Sequence, residues 1–195
     1  KIPFIVHPHG GPNARDYWGY NPEVQFYATR GYGVIQMDYR GSTGYGRKEM
    51  MLANHEMGKS MQEDKYDALF WANEQGYVDM NNVCISGASY GGYAAMQAAT
   101  KSPEIFKCII AYVGVYDLTS SDLRGLQWSE LSQPMEYIEK GNPRDPEDYK
   151  NLYENSPLFF AENVEDPVLI ITGRRDSQVR FQETVDMVNE LKKYG

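Results

Sequence analysis

The clearest chemical signal in the chain is Gly87-Ala88-Ser89-Tyr90-Gly91-Gly92. It lies directly between the apolar run Val83–Ser86 and the alanine-rich run Tyr93–Ala99. A Gly-x-Ser-x-Gly between a strand and a helix forms a nucleophile elbow, in which the serine occupies a sharp, strained turn. Small flanking residues let strand and helix approach each other. The serine oxygen then projects at the helix N-terminus, where free N–H groups favour negative charge. A glycine-rich turn holding an ordinary serine is the weaker reading, because both flanking elements are those the motif requires. Ser89 is the candidate nucleophile.

A second signal, His9-Gly10-Gly11-Pro12, follows the first apolar run. Acyl transfer needs two donors aimed at the developing oxyanion, about 2.7–3.1 Å from where it will sit. The residue after the nucleophile supplies one, here the Tyr90 N–H. A His-Gly-Gly loop after an early strand supplies the other, here assigned to Gly11. Gly10 and Gly11 bring backbone close to a substrate with no side chain in the way. His9 reads as a residue that organises this loop rather than as the catalytic base. A third cluster, Asp38-Tyr39-Arg40-Gly41-Ser42-Thr43-Gly44-Tyr45-Gly46, is on its own a glycine-rich turn with an arginine and hydroxyls. It lacks the Lys-Ser/Thr ending of a phosphate-binding loop, and no cofactor is expected.

Taken in order, these three clusters, the last extended through Tyr93, resemble the prolyl oligopeptidase family of serine peptidases. The likeness is greatest to its acylaminoacyl-peptidase and dipeptidyl-peptidase branches, and it runs from Val6 to Val179. It implies an α/β-hydrolase catalytic domain acting on short peptides or acyl-peptides, usually preceded by a β-propeller that restricts access. It also implies a Ser–Asp–His triad in that chain order. Gly173-Arg174-Arg175-Asp176-Ser177-Gln178-Val179 matches the family's Gly-x-x-Asp-x-x-Val, so the resemblance makes Asp176 the triad carboxylate. Its task would be to fix the histidine tautomer and stabilise the imidazolium, with Arg175 helping to keep it ionised. Thr172 stands where the family usually has histidine, and Asp117 is the alternative acid. The only histidines are His7, His9 and His55, and none follows Asp176. His7 reads as a strand residue and His55 as a loop residue. The triad histidine, which in the family follows one more helix and strand, is expected beyond Gly195.

The elements that must hold these residues alternate. Strands are predicted at Pro3–Val6, Gly33–Asp38, Val83–Ser86, Cys108–Val113 and Val168–Thr172, all apolar on both faces as strands covered on two sides should be. Asn21-Pro22 reads as a helix cap and first-turn proline, with Gly31 closing that helix. Ser60-Met61-Gln62-Glu63 fits a capping box opening a helix that stops near Gly76. Phe181, Val185, Val188 and Leu191 place an apolar stripe on a last helix. This rhythm predicts a mostly parallel central sheet flanked by helices. The proline-rich and acidic stretch at about 114–160 breaks it and reads as a cap-like or pocket-wall excursion. Residues 1–195 are thus expected to be one partial α/β-hydrolase domain, truncated at both ends.

Composition narrows the function further. With 195 residues, 42% hydrophobic and 24% charged, the chain is in the ordinary globular range. No apolar run is long enough to span a bilayer. The 19 basic and 27 acidic residues give a net charge of −8, which disfavours nucleic acid as a partner. Cys84 and Cys108 both sit in strand-like apolar runs and read as free, buried residues without zinc-ligand spacing. No metal is expected, and oligomeric assembly is left open. The readings that remain are a serine peptidase domain, a carboxylesterase of the same fold, and a non-catalytic hydrolase-fold binding module. They separate experimentally. A chain lacking the histidine should retain only the residual acceleration of oxyanion hole and binding, about 10³–10⁴-fold over water. Adding the downstream residues should raise peptide turnover by orders of magnitude, with circular dichroism showing both chains folded. Equal turnover by the two would place the base within these 195 residues.

Overall fold

Among the described residues five strands pair side by side in one wholly parallel sheet: β1 (Ile2–Val6), β2 (Gly33–Ile35), β3 (Val78–Ala88), β4 (Cys108–Tyr112) and β5 (Val168–Ile171), in the order β2-β1-β3-β4-β5. The computed structural model describes residues 1–120 and 137–195. Chain order reverses direction between β1 and β3. In open parallel sheets such a switch point leaves a crevice beyond the C-terminal strand ends, where ligands bind. Val6 pairs with Ile35 on one side and Ile85 on the other, so the loops leaving β1 and β3 emerge next to each other.

Among the described residues the helices include α1 (Pro22–Ala28), α2 (Arg47–Met51), α3 (Ser60–Glu74), α4 (Tyr90–Lys101), α5 (Pro146–Glu154) and α6 (Phe181–Leu191), with a 3₁₀ segment at Pro157–Asn163. Asn21 caps α1 as its sequence suggests, its Oδ1 accepting from the N–H groups of Glu23 and Val24 at 2.9 and 3.1 Å. The expected capping box on α3 is not formed. Ser60 is already inside the helix, and the Glu56 carboxylate reaches forward to its hydroxyl at 2.6 Å. Helix α2 had no signal in the sequence, since Gly46 precedes it and offers no side-chain cap.

Every residue of α4 from Tyr90 to Thr100 is buried. Its Ala95, Ala98 and Ala99 pack with Val6, Val83, Ile85, Ile109 and Met187 in the main core. A second cluster, under the strand ends, joins Tyr39, Met61, Tyr90, Tyr93, Leu118 and Leu152.

Three further expectations are corrected. Strand β2 stops at Ile35, because the Gln36 amide turns to Asp16 (2.9 Å) and Asp38 accepts the Asp16 N–H (2.8 Å). Burial on both faces holds for the ends of β1 and β3 nearest the serine turn, whereas Tyr112 on β4 and Leu169 and Ile171 on β5 are exposed. Cys84 and Cys108 are neither free nor fully buried. They lie opposite each other in the β3–β4 register, 4.7 Å apart at Cα, and are joined as a disulfide. That separation is within bridging range, and register is what a linear sequence does not display.

Candidate active site

Strand β3 runs into Ser89, which takes φ 57° and ψ −117°. A non-glycine residue at positive φ carries strain of about 1–3 kcal/mol and persists only where its surroundings fix it. Here the Ser89 N–H donates to the Tyr112 carbonyl at 2.9 Å, and the Ser89 carbonyl accepts the Tyr93 N–H at 3.0 Å. The turn is therefore held by β4 below and α4 above. A Cβ on Gly91 would lie 2.4 Å from the Pro8 carbonyl oxygen, and one on Gly10 would lie 2.9 Å from that of Ala88. Glycine at these two positions lets the β1 loop lie directly against the serine turn. Tyr90 opens α4, so its N–H is a first-turn donor with no acceptor inside the helix.

Gly11 adopts φ 129° and, with Pro12, Ser89 and Tyr90, lines a cavity of about 430 Å³. Met57, Tyr93, Val115 and Leu118 form apolar walls, and Asn13, Glu139, Lys140 and Gln178 add polar groups. The stretch at 114–160 thus contributes to the cavity through Val115, Leu118, Glu139 and Lys140, while 121–136 lie outside the described residues.

His9 is turned into its own loop. Its Nδ1 donates to the Gly10 carbonyl at 2.8 Å, its Nε2 meets the Ser42 hydroxyl at 3.0 Å, and its ring stacks on Tyr39 at 4.3 Å. Tyr39 in turn donates to the His9 carbonyl at 2.8 Å. The Asp38–Gly46 cluster is therefore a brace for the β1 loop, a role its sequence alone did not disclose. Arg40 in the same cluster pairs with Asp64 of α3 at 2.6 Å. His7 is buried against the Ser86 carbonyl (2.9 Å), and His55 lies 3.4 Å from Asp148.

Asp176 follows β5. Its Oδ1 accepts the N–H groups of Gln178 and Val179 at 2.7 and 2.9 Å, and these two residues line the cavity beside Ser89. Two backbone donors hold this carboxylate in place. Asp117 accepts from the N–H and hydroxyl of Thr119 at 2.8 and 2.6 Å, closing a tight turn.

A family model described as the prolyl oligopeptidase family matches residues 18–195. The chain belongs to the prolyl oligopeptidase family. Among similar proteins, dipeptidyl peptidase family member 6 of Caenorhabditis elegans is 36% identical over 97% of the chain, and dipeptidyl aminopeptidase BIII of Pseudoxanthomonas mexicana 35% over 98%. The chain spans only 26% and 28% of those two proteins. Among solved structures, a puromycin-hydrolyzing peptidase of Mycobacterium tuberculosis superposes with a TM-score of 0.90 at 28% identity, over 99% of this chain and 28% of that one. The acylaminoacyl peptidase of Pyrococcus horikoshii gives 0.88 at 28% identity, over 100% and 31%. The fold is that of the α/β-hydrolase domain of this peptidase family.

One contact escaped the sequence reading. Glu183, in the first turn of α6, accepts the N–H groups of Tyr116 and Asp117 at 2.9 and 3.2 Å, tying the helix after the Asp176 loop to the wall that carries Val115 and Leu118. Burial pushes its carboxyl up from the usual 4.5, against the two backbone donors. The folded protein therefore binds this proton more readily than the unfolded chain. That contribution to stability is complete below pH 4.5 and is lost as pH rises through the folded value. Glu183→Gln, neutral throughout, should be more stable than the parent near neutral pH and lose that advantage in acid. Urea midpoints at the two pH values check this; an equal difference at both would refute it.

Proposed function

We propose that the chain is the greater part of a serine peptidase catalytic domain that hydrolyses short peptides or acyl-peptides through an acyl-enzyme on Ser89. The observation that carries this reading is the strained Ser89 at the end of β3, sharing one cavity with Gly11 and Tyr90. The Ser89 oxygen attacks the scissile carbonyl while a histidine takes its proton. The tetrahedral oxyanion is held by the Tyr90 and Gly11 N–H groups, with Gly10 and His9 keeping their loop in place. The histidine then gives its proton to the departing amine. Water, deprotonated by the same histidine, releases the acid and regenerates Ser89. Asp176 orients the histidine, which we place beyond Gly195.

Peptides are favoured over simple esters by the relatives, several of which are named as dipeptidyl or acylamino-acid-releasing enzymes. The cavity agrees with that class. Its Met57, Tyr93, Val115 and Leu118 walls suit an apolar side chain, and Asn13, Glu139 and Gln178 offer partners for peptide groups. The relatives are three to four times as long as this chain, and we assign part of their additional length to a β-propeller that admits only short substrates.

In the full-length protein a phosphonate probe should add its mass at Ser89, and Ser89→Ala should abolish labelling while the protein stays folded. An unlabelled serine in a full-length protein that does possess the histidine would overturn the assignment. Gly11→Val should lower kcat by about 10²-fold or more, since one lost oxyanion donor costs ~2.7–4 kcal/mol. Unchanged turnover would reduce the His9–Pro12 loop to a simple strand exit.

A further inference from the structure

Behind the serine turn lies a charged group that the chemistry above does not use. Lys65, on α3, is 0% exposed. Its Nζ donates to the Met61 carbonyl one turn back and sits 3.8 Å over the Tyr39 ring and 5.3 Å from that of Tyr90. Among the described residues no carboxylate pairs with it directly. Asp64, its neighbour on α3, is engaged by the Arg40 guanidinium at 2.6 and 2.8 Å. The groups facing Lys65 are therefore the Tyr39 ring and Arg40 from the loop after β2, the Tyr90 ring from α4, and Asp64 on its own helix.

Both aromatic partners belong to the site. Tyr90 follows the nucleophile directly, and its ring lies 5.4 Å from Tyr39 and 5.5 Å from Tyr93. Tyr39 carries His9 by stacking and through its hydroxyl. One ammonium thus contacts the platform under the serine turn and the platform under the Gly10-Gly11 loop. A desolvated cation attracts the faces of both rings.

We propose that the Lys65 ammonium is a positioning residue, holding the Tyr39 and Tyr90 rings so that the Gly11 loop and the Tyr90 N–H converge on one oxyanion site. This rests on the Ser89 reading. It couples activity to a proton that never meets substrate. Burial pushes Lys65 down to about 7, with Arg40 adding to the effect and Asp64 opposing it. As pH rises through that value the rings lose their cation and the oxyanion donors loosen. Stability moves the other way. A buried ammonium with a lowered folded pKa is a burden at low pH, so the fold gains stability as pH rises from about 7 toward the ordinary 10.5. Loss of activity on a fold that is growing firmer is a signature that a merely structural lysine would not give.

The test uses the full-length protein, its Lys65→Met variant and its Lys65→Arg variant. Methionine fills the same unbranched space without charge, and urea denaturation should show the variant at least as stable as the parent. Its kcat on a peptide substrate should be about tenfold below the parent at pH values under the Lys65 transition, with KM little changed, as the loss of a desolvated cation–π contact allows. The two proteins should converge above that transition. Lys65→Arg, charged at every pH, should lose the decline. A parent-to-methionine ratio that is flat with pH, or equal to one throughout, would overturn the Lys65 assignment while phosphonate labelling of Ser89 leaves the hydrolase reading intact. A parent whose Ser89 takes no phosphonate at any pH would overturn both.

Discussion

The close approach of three backbone segments governs this structure: the exit of β1, the exit of β3 and the first turn of α4. A methyl group at Gly91 would sit 2.4 Å from the Pro8 carbonyl oxygen, so no larger residue allows the β1 loop to rest on the helix. Ser89 takes its positive φ here because the chain must turn from strand to helix within one residue. What fixes the turn is hydrogen bonding on both sides of it, to Tyr112 of β4 and from Tyr93 of α4. Parallel register does the rest. With β1 and β3 adjacent at the switch point, two loops distant in sequence open into a single cavity.

Around that contact the protein uses aromatic residues where many sites use charged ones. His9, Tyr39, Tyr90 and Tyr93 form a chain of ring contacts, each 4.3 to 5.5 Å from the next. Rings at such spacings hold their geometry with little loss of side-chain freedom, since each has few rotatable bonds. The hydroxyls add direction, Tyr39 to the His9 carbonyl and Tyr93 to that of Asn155 at 2.9 Å. Asp38 meets one end of this platform, its Oδ1 3.7 Å from the His9 Nε2. Asp176 and Glu183 both accept pairs of backbone N–H groups, and so shape loops rather than meeting the rings.

Much of this was readable from the residues. The strand–serine–helix succession located Ser89 because glycine spacing reports a steric requirement that holds wherever the turn occurs. The Asn21-Pro22 cap was readable for the same local reason. Contacts between distant segments were not. Ser60-Met61-Gln62-Glu63 had the composition of a capping box, yet Ser60 lies inside the helix and donates back to Glu56, and the Cys84–Cys108 pairing depended on a register that only the assembled sheet defines. Asp38–Gly46 looked like a turn because its work, bracing His9 through Tyr39 and Ser42, requires the β1 loop to be alongside. Lys65, four residues after Met61 on α3, carried no sign of burial in a helix rich in charge.

The burial of α4 from Tyr90 to Thr100 has a further consequence. The segment bearing the serine belongs to the innermost part of the domain, the part that opens only when everything opens. Apart from Tyr93, the apolar and polar cavity walls come from elsewhere: Met57 ahead of α3, Val115 and Leu118 after β4, Gln178 and Val179 after β5, and Glu139. Tight packing thus confines mutational tolerance to those walls. A descendant could exchange Val115, Leu118 or Gln178 and recognise a different peptide while the bond-breaking element stayed as it was. Its rigidity at the centre leaves the periphery free to diversify.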